Sequence, residues 1–445
     1  MAGYHERWAR LLAPWRRTGD GRRLDGMDAA RTPFLADYDR IVFSSSFRRL
    51  ARKTQVHPLA RNDHIHNRLT HSLEVSSVWR SLGLAVGDAL RRQGDLPEGF
   101  APEHLGQILQ AACLAHDIGN PPFGHAGEEA IRDWFLDARH EACLKELTPP
   151  ERADFTCFDG NAQGFRVINA LENNKDRGGF RLTYPVAATL VKYPCSAYDA
   201  LGRGRRKFNF YCAERTLFEE IFDVLGLRAA GIRRHPLSWL LEAADDICYR
   251  IIDMEDAHEL GIISYADVHA AMGGLLSEQE LDDTRLSAMD SDRRRAGMLR
   301  TAAMGHIIPA VAKAFLDAYA DIMDGCLDTP LLDMAGGGVP GFMQAAKEIF
   351  ALKIMRDAQK TALEVGAYAL FRRLLDVFIP ACFNFARGNA MSYLETSALS
   401  LLGANAPAEG ESLYAAYLRA LDFVSGMTDD YATFVSRQFS GTSGR

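Results

Sequence analysis

Between residues 102 and 135 two helical patterns are separated by a stop that no helix crosses. Ile108, Leu109, Ala112 and Ala115 fall on one face of a helix predicted from about Pro102 to Ile118, and Gly119-Asn120-Pro121-Pro122 ends it. Glycine accepts the turn past a helix end, and prolines lack the amide that continuation needs. A further helix opens near His125 and carries Ile131, Trp134 and Phe135. Polar groups stand on both sides of this turn: His116-Asp117 in the last apolar turn, His125 and Glu128 in the first turn of the next helix. A charged aspartate in such a setting is costly unless paired or metal-bound. Imidazole with carboxylate suits a divalent cation of borderline hardness. His125 and Glu128, three apart, share a helix face. Taken alone, a capped core histidine explains His116-Asp117 about as well.

The rest of the chain is dominated by helical periodicity. Leu73, Val78, Trp79, Leu82, Ala85, Val86 and Leu90 mark a helix from Thr70 to Arg92, with Thr70 as its cap. Another runs from Pro236 to Leu260, and the C-terminal third is helical apart from breaks at Asp328–Gly341 and Gly403–Gly410. Arg139–Phe158, which holds Pro149-Pro150, reads as a surface loop. Thr183–Tyr193 and Lys207–Tyr211 read as short strands around Gly202-Arg203-Gly204. The expected fold is one large, mostly α body over 1–445 with a small β or loop element near 183–215. An apolar share of 47% against 24% charged residues sustains a buried core and excludes wholesale disorder.

Composition excludes several function classes. Lys and Arg number 51 against 58 Asp and Glu, a net charge of −7, so the chain as a whole is no polycation. The arm 1–61 runs against this, with 13 basic residues to six acidic ones. Arginines facing phosphate, or a solvated arm pairing with an acidic neighbour, both account for it. Eight scattered cysteines contain no C-x-x-C pair, so neither a disulfide framework nor a thiolate zinc site follows. No apolar run reaches the ~18 residues of a membrane span, and no signal-peptide segment opens the chain, so a cytoplasmic location is expected.

Two further residues extend the candidate cation set. His71 lies in Asn67-Arg68-Leu69-Thr70-His71-Ser72-Leu73-Glu74. Asp245 belongs to a polar stripe with Tyr249, Asp253 and Asp256 along an otherwise apolar helix. Without the other pieces, that stripe would read as a solvated face.

His71, His116-Asp117 and Asp245 resemble the ligand pattern of the HD-domain metal-dependent phosphohydrolases. The string HDIGNPPFGHAGEEAI resembles one branch, the bacterial dGTPase family of deoxynucleoside triphosphate triphosphohydrolases. Phe43–Leu50, Lys53–Val56, Asn67–Glu74, Phe158–Gly164, Val191–Pro194, Glu242–Tyr249 and Ser425–Asp429 resemble family segments in the family's order.

The resemblance implies an HD core of about 64–260 followed by a C-terminal helical region, 261–445. It implies one divalent cation, Mn²⁺ or Mg²⁺ ahead of Fe²⁺ or another, on His71, His116, Asp117 and Asp245. The implied reaction is water attack at the α-phosphorus of a deoxynucleoside triphosphate, dGTP favoured, releasing deoxynucleoside and intact triphosphate. His125, oriented by Glu128, would be the acid–base group. Arg48, Arg49, Lys53 and Lys192 would meet the triphosphate, with Arg206 and Lys207 as additions. Tyr249 would pack on the sugar and exclude a 2′-hydroxyl; Gln55 and Asp253 would lie near the sugar or base, and Asn161 and Tyr193 also belong to substrate-facing strings. His64 and His66 read as loop residues. A homo-oligomer, a hexamer among the options, is implied as well. Two other readings stay open: an HD phosphohydrolase acting on a different nucleotide, and a dNTP-regulated protein binding single-stranded DNA through the basic arm and Arg203–Lys207, with Phe208, Phe210 and Tyr211 stacking on bases.

Overall fold

The computed structural model describes residues 3–441 apart from 20, 29, 60, 61, 173–177, 283, 285 and 287. Among the described residues, regular structure is helical except for one antiparallel hairpin, β1 (Trp15–Thr18) with β2 (Gly21–Leu24). The helices that position the site are α1 (Arg68–Gln93), α2 (Pro102–Ala115), α3 (Gly124–Leu136), α4 (Gly160–Arg166), α5 (Pro236–Glu259), α6 (Asp292–Asp317), α7 (Ala358–Ala386), α8 (Leu413–Gly426) and α9 (Asp429–Phe439).

α1 begins three residues earlier than its periodicity suggests. Asn67 is the cap, accepting from the Leu69 and Thr70 amides, while Thr70 returns a bond to the Asn67 amide from the third helical position. α2 opens on Pro102, whose missing amide costs nothing at a first helical position. The two helices run antiparallel with their backbones in contact: a Cβ on Gly83 would lie 2.7 Å from the Gly106 Cα. Leu82, Val86, Leu90, Ile108 and Leu109 are fully buried around this crossing, each contributing about 1.5–3 kcal/mol. The start of α1 therefore lies beside the end of α2.

Buried apolar side chains form two clusters. The first gathers α1, α2, α5 and α6 and includes Ile118; the second gathers α3, α7, α8 and α9 and includes Phe123. Residues 119–122 are thus the crossing from one core to the other.

Three local expectations are corrected. The strands lie in residues 15–24 and not near 183–215, where Tyr184–Thr189 is a helix with Pro185 in its first turn, and Phe210 makes only an isolated bridge to Ser196. Arg139–Phe158 is not a loop: Pro149 and Pro150 start the helix Pro149–Thr156, which a reciprocal Thr148–Glu151 capping box closes. A proline pair at a helix start is a beginning, not a break. Phe208, Phe210 and Tyr211 are 2% exposed or less, so they offer no rings for bases to stack on.

Much of the basic arm is folded in. Trp8, Leu11 and Leu12 belong to the first core, and the Trp8 indole donates to the Tyr319 hydroxyl at 2.7 Å. Arg16 is buried between Asp37 (2.6 Å) and Asp25 (2.8 Å). Among the described residues, no helix is long and apolar enough to cross a membrane.

Candidate metal centre

Antiparallel packing of α1 and α2 puts His71, in the first turns of one, against His116 and Asp117, which follow the other. One ligand atom from each of these three lies within 4.8 Å of the others. Asp245 arrives from α5, its Oδ1 3.4 Å from His71 Nε2 and 3.3 Å from His116 Nε2. His116 Nδ1 faces the Cys113 carbonyl at 2.5 Å. A carbonyl only accepts, so Nδ1 carries a hydrogen and Nε2 is the atom turned to the carboxylates.

This donor set fits a divalent cation. His71 Nδ1, His116 Nε2 and Asp117 Oδ2 are buried without a hydrogen-bond partner, and two imidazoles with two carboxylates suit a cation of borderline hardness. Without a cation the charges balance locally. Burial works against a charged His116, but Asp117 and Asp245 outweigh it and hold the imidazole up at about 9. Lys192 Nζ lies 2.6 Å from Asp245 Oδ2. Arg68 Nη1 lies 2.8 Å from Asp117 Oδ2, an ion pair whose angle makes no hydrogen bond. Burial would raise both carboxyls, yet Arg68 and His116 keep Asp117 low, and Lys192 and His116 keep Asp245 far below the ordinary range. Arg68 escaped the sequence reading, although it precedes His71 by three positions on the same helix face.

The turn beyond Asp117 is built by close approach. A Cβ on Gly119 would overlap the Gly164 amide nitrogen and the Gly160 carbonyl of α4. Gly119→Ala should therefore destabilise the protein by about 3 kcal/mol through forced separation of α4 from the turn, read as a lowered melting temperature. Asn120 donates from its side-chain amide to Asp117 Oδ1. Phe123 and Gly124 follow with φ of 59° and 54°, the left-handed region, and α3 begins.

On α3, His125 Nδ1 sits 3.0 Å from Glu128 Oε2 while the ring stays 72% exposed. Glu128 is buried and accepts from the Gly160 amide at 2.7 Å through Oε1. Lys207 (3.8 Å) and Arg132 (3.6 Å) flank it, and Lys207 also pairs with Asp159 at 3.1 Å. Burial pushes the Glu128 carboxyl up, but the His125 hydrogen bond, Lys207 and Arg132 prevail and hold it at about 2, against an ordinary 4.5. A carboxyl depressed in the folded state contributes stability that is complete above about 4.5 and lost as pH falls toward about 2. Glu128→Gln should accordingly flatten the loss of stability across that window, measured as denaturant midpoint against pH.

The structure distributes the candidate substrate residues unevenly. Lys192 stands at the centre. Arg48 is exposed and donates to the Phe43 and Ser44 carbonyls of its own segment. Arg49 lines a cavity of about 270 Å³ with Gly119, Gln163 and Ser425. Lys53 is buried, its Nζ donating to the carbonyls of Asn120 (2.5 Å) and Ser425 (2.8 Å), and burial with Arg49 nearby pulls its amine down to about 7. Asn161 donates to Asp159, and the Tyr193 amide donates to the Asn209 side-chain oxygen. Tyr249 stacks obliquely on Phe350, ring centroids 5.7 Å apart, under the Arg250 guanidinium. Gln55 Oε1 and both Asp253 oxygens are buried without partners, and burial raises the Asp253 carboxyl far above its usual range. His66 is no free loop residue. It bridges Asp256 of α5 (2.7 Å) and Glu74 of α1 (3.2 Å), and these carboxylates overcome its burial to hold it at about 10. A polar cleft of about 760 Å³ opens nearby, with Lys53, His57, His66, Asn67 and Asp429 in its walls. None of the four candidate ligands lines it.

Comparison with known proteins gives the same region a family. The HD domain model matches residues 68–151. A deoxyguanosinetriphosphate triphosphohydrolase-like protein of Pseudomonas aeruginosa is 46% identical over 423 residues, covering 94% of this chain and 95% of its own. The chain belongs to the deoxyguanosinetriphosphate triphosphohydrolase-like family of HD-domain proteins. A Synechocystis member with the same description is 35% identical, covering 98% of this chain and 99% of its own. The deoxyguanosinetriphosphate triphosphohydrolase of Yersinia pestis is 29% identical, with 90% of this chain and 92% of its own covered. The similarity thus runs through the C-terminal helices and is not confined to the HD segment.

Proposed function

We propose that this family member hydrolyses deoxynucleoside triphosphates, dGTP foremost, to deoxynucleoside and inorganic triphosphate with the help of one divalent cation. The observation that carries the reading is the convergence of His71, His116, Asp117 and Asp245, one short turn before the His125–Glu128 pair. The activity for which the Yersinia pestis relative is named supports it. His71, His116, Asp117 and Asp245 would hold the Mn²⁺ or Mg²⁺, which would supply a water of lowered pKa and polarisation of a phosphoryl oxygen.

The chain's own groups supply the rest. Lys192 and Arg68 bring positive charge beside the carboxylates, where they would meet phosphate oxygens of the substrate. Glu128, anchored by the Gly160 amide and kept ionised, accepts from His125 Nδ1 and leaves Nε2 to deliver a proton to the departing 5′-oxygen. The exposure of the His125 ring gives it access to substrate. Tyr249, one helical turn from Asp245, presents a ring to the sugar. Tyr249→Ala should let ribonucleotides compete roughly tenfold better, a change of about 1.4 kcal/mol, read as the ratio of kcat/KM for dGTP and GTP. Unchanged selectivity removes the packing role.

The deciding assay incubates the protein with each dNTP and Mn²⁺ and separates the products. Deoxynucleoside with intact triphosphate is expected. Monophosphate with pyrophosphate, or no turnover with all four dNTPs together, overturns the proposal.

A further inference from the structure

The last helices reach back to the turn between the two halves of the centre. Asp429, the first residue of α9, is 2% exposed. Its Oδ1 accepts from the Phe123 amide at 3.0 Å, and its Oδ2 from the Thr54 amide at 2.9 Å and from the Thr54 hydroxyl. Lys53 spans the same gap, tying the Asn120 carbonyl to the Ser425 carbonyl at the end of α8. The turn 120–123 is thus held at both ends by groups that touch neither the candidate ligands nor His125.

What it holds is a strained piece of backbone. Phe123 takes φ 59° with a full side chain, a conformation disfavoured outside glycine that persists only where surroundings enforce it. Asp429 binds the amide of that residue. Two positions on is His125; at the other end of the turn, the Asn120 side chain bonds Asp117. The same segment continues to the start of α1, where Thr54 bridges Asn67 and the Arg68 amide donates to the Lys53 carbonyl at 3.1 Å.

We propose that Asp429 and Lys53 are positioning residues, a clamp between the Lys53–Thr54 segment and the C-terminal helices that sets the distance between the cation site and His125. The kinetic part of this inference rests on the acid–base role given to His125 above. A clamp acts on geometry in the rate-determining step, where a misplacement of ~1 Å costs about 10²-fold. A plain structural staple acts on stability alone.

The test compares Asp429→Asn, which keeps the volume but replaces one acceptor oxygen with a donor, with Asp430→Asn, an exposed neighbour paired to Arg52. Expected for Asp429→Asn are a kcat lowered about 10- to 100-fold, an unchanged KM, unchanged Mn²⁺ affinity, and faster hydrogen exchange at amides 124–127 but not in α2. Asp430→Asn matches wild type. Wild-type kcat and exchange in Asp429→Asn overturn the clamp, as does a fall in melting temperature with uniformly faster exchange and unchanged kcat. Should Asp429→Asn fail to fold, Lys53→Met decides by the same readouts: lower kcat at constant KM supports the clamp, and a raised KM at constant kcat makes Lys53 a substrate contact and overturns it. If wild type turns over no dNTP, the function proposed above falls, and the exchange measurement still decides the clamp.

Discussion

Replacing His116 by alanine is expected to leave a folded protein that binds no divalent cation and has lost turnover by at least about 10³-fold, since charge stabilisation by a metal is worth several kcal/mol. The apolar groups beneath it, Leu114, Ala115 and Ile118, are untouched and buried. What disappears is the Nε2 that stands between Asp117 and Asp245. Asp117→Ala acts on the same centre from the other side and releases Arg68 and Asn120 as well. Calorimetric Mn²⁺ titration reads both variants, and wild-type stoichiometry in either removes that residue from the ligand set. Normal turnover in Asp245→Ala does the same for Asp245. The wild-type titration carries an internal check. With His116 held at about 9 in the free protein, cation binding at neutral pH displaces its proton, so the apparent enthalpy varies with the ionisation enthalpy of the buffer.

His125→Ala gives the opposite pattern: cation binding intact, kcat lowered by about 10²–10⁴-fold, the usual worth of a positioned general acid. His125 makes its hydrogen bond to Glu128 and has an exposed ring, so the fold loses little with it. Glu128→Gln separates orientation from acid–base chemistry. The glutamine side chain still offers an oxygen to the Gly160 amide, but the charge that orients His125 is gone, so kcat is expected to fall while cation binding stays intact. A His125→Ala enzyme with wild-type kcat removes His125 from the reaction.

Sequence made some of this legible and hid the rest for identifiable reasons. The helical character of the chain and the stop at Gly119–Pro122 follow from periodicity and from what glycine and proline do to backbone. The meeting of His71 with His116 and Asp117 follows once α1 and α2 are antiparallel, and the resemblance supplied that set together with Asp245. Proline misled at Pro149-Pro150, because it disfavours a helix interior yet favours a helix start. β1 and β2 lie among arginines with little apolar alternation, so the hairpin carried almost no signal. Arg68, Lys207 and His66 were hidden differently: their partners are Asp117, Glu128 with Asp159, and Asp256 with Glu74, and sequence spacing does not show pairs made across helices. Lys53 carries the same lesson inverted. Its place in a family-like string pointed to phosphate, and its amine meets two carbonyls.

The bonds that Asp429 and Lys53 make also order events during synthesis. Asp429 meets Phe123 across 306 positions and Thr54 across 375, and Lys53 meets Ser425 across 372. Chains emerge amino end first at about 5–20 residues per second, so every candidate ligand through Asp245 leaves the ribosome well before Ser425 and Asp429 do. During that interval the nascent chain holds the candidate ligands around a left-handed turn that still lacks its bonds to Ser425 and Asp429. The clamp proposed above thus predicts that the centre is completed late in folding, and that a chain stopped short of Ser425 carries the HD motif at reduced activity.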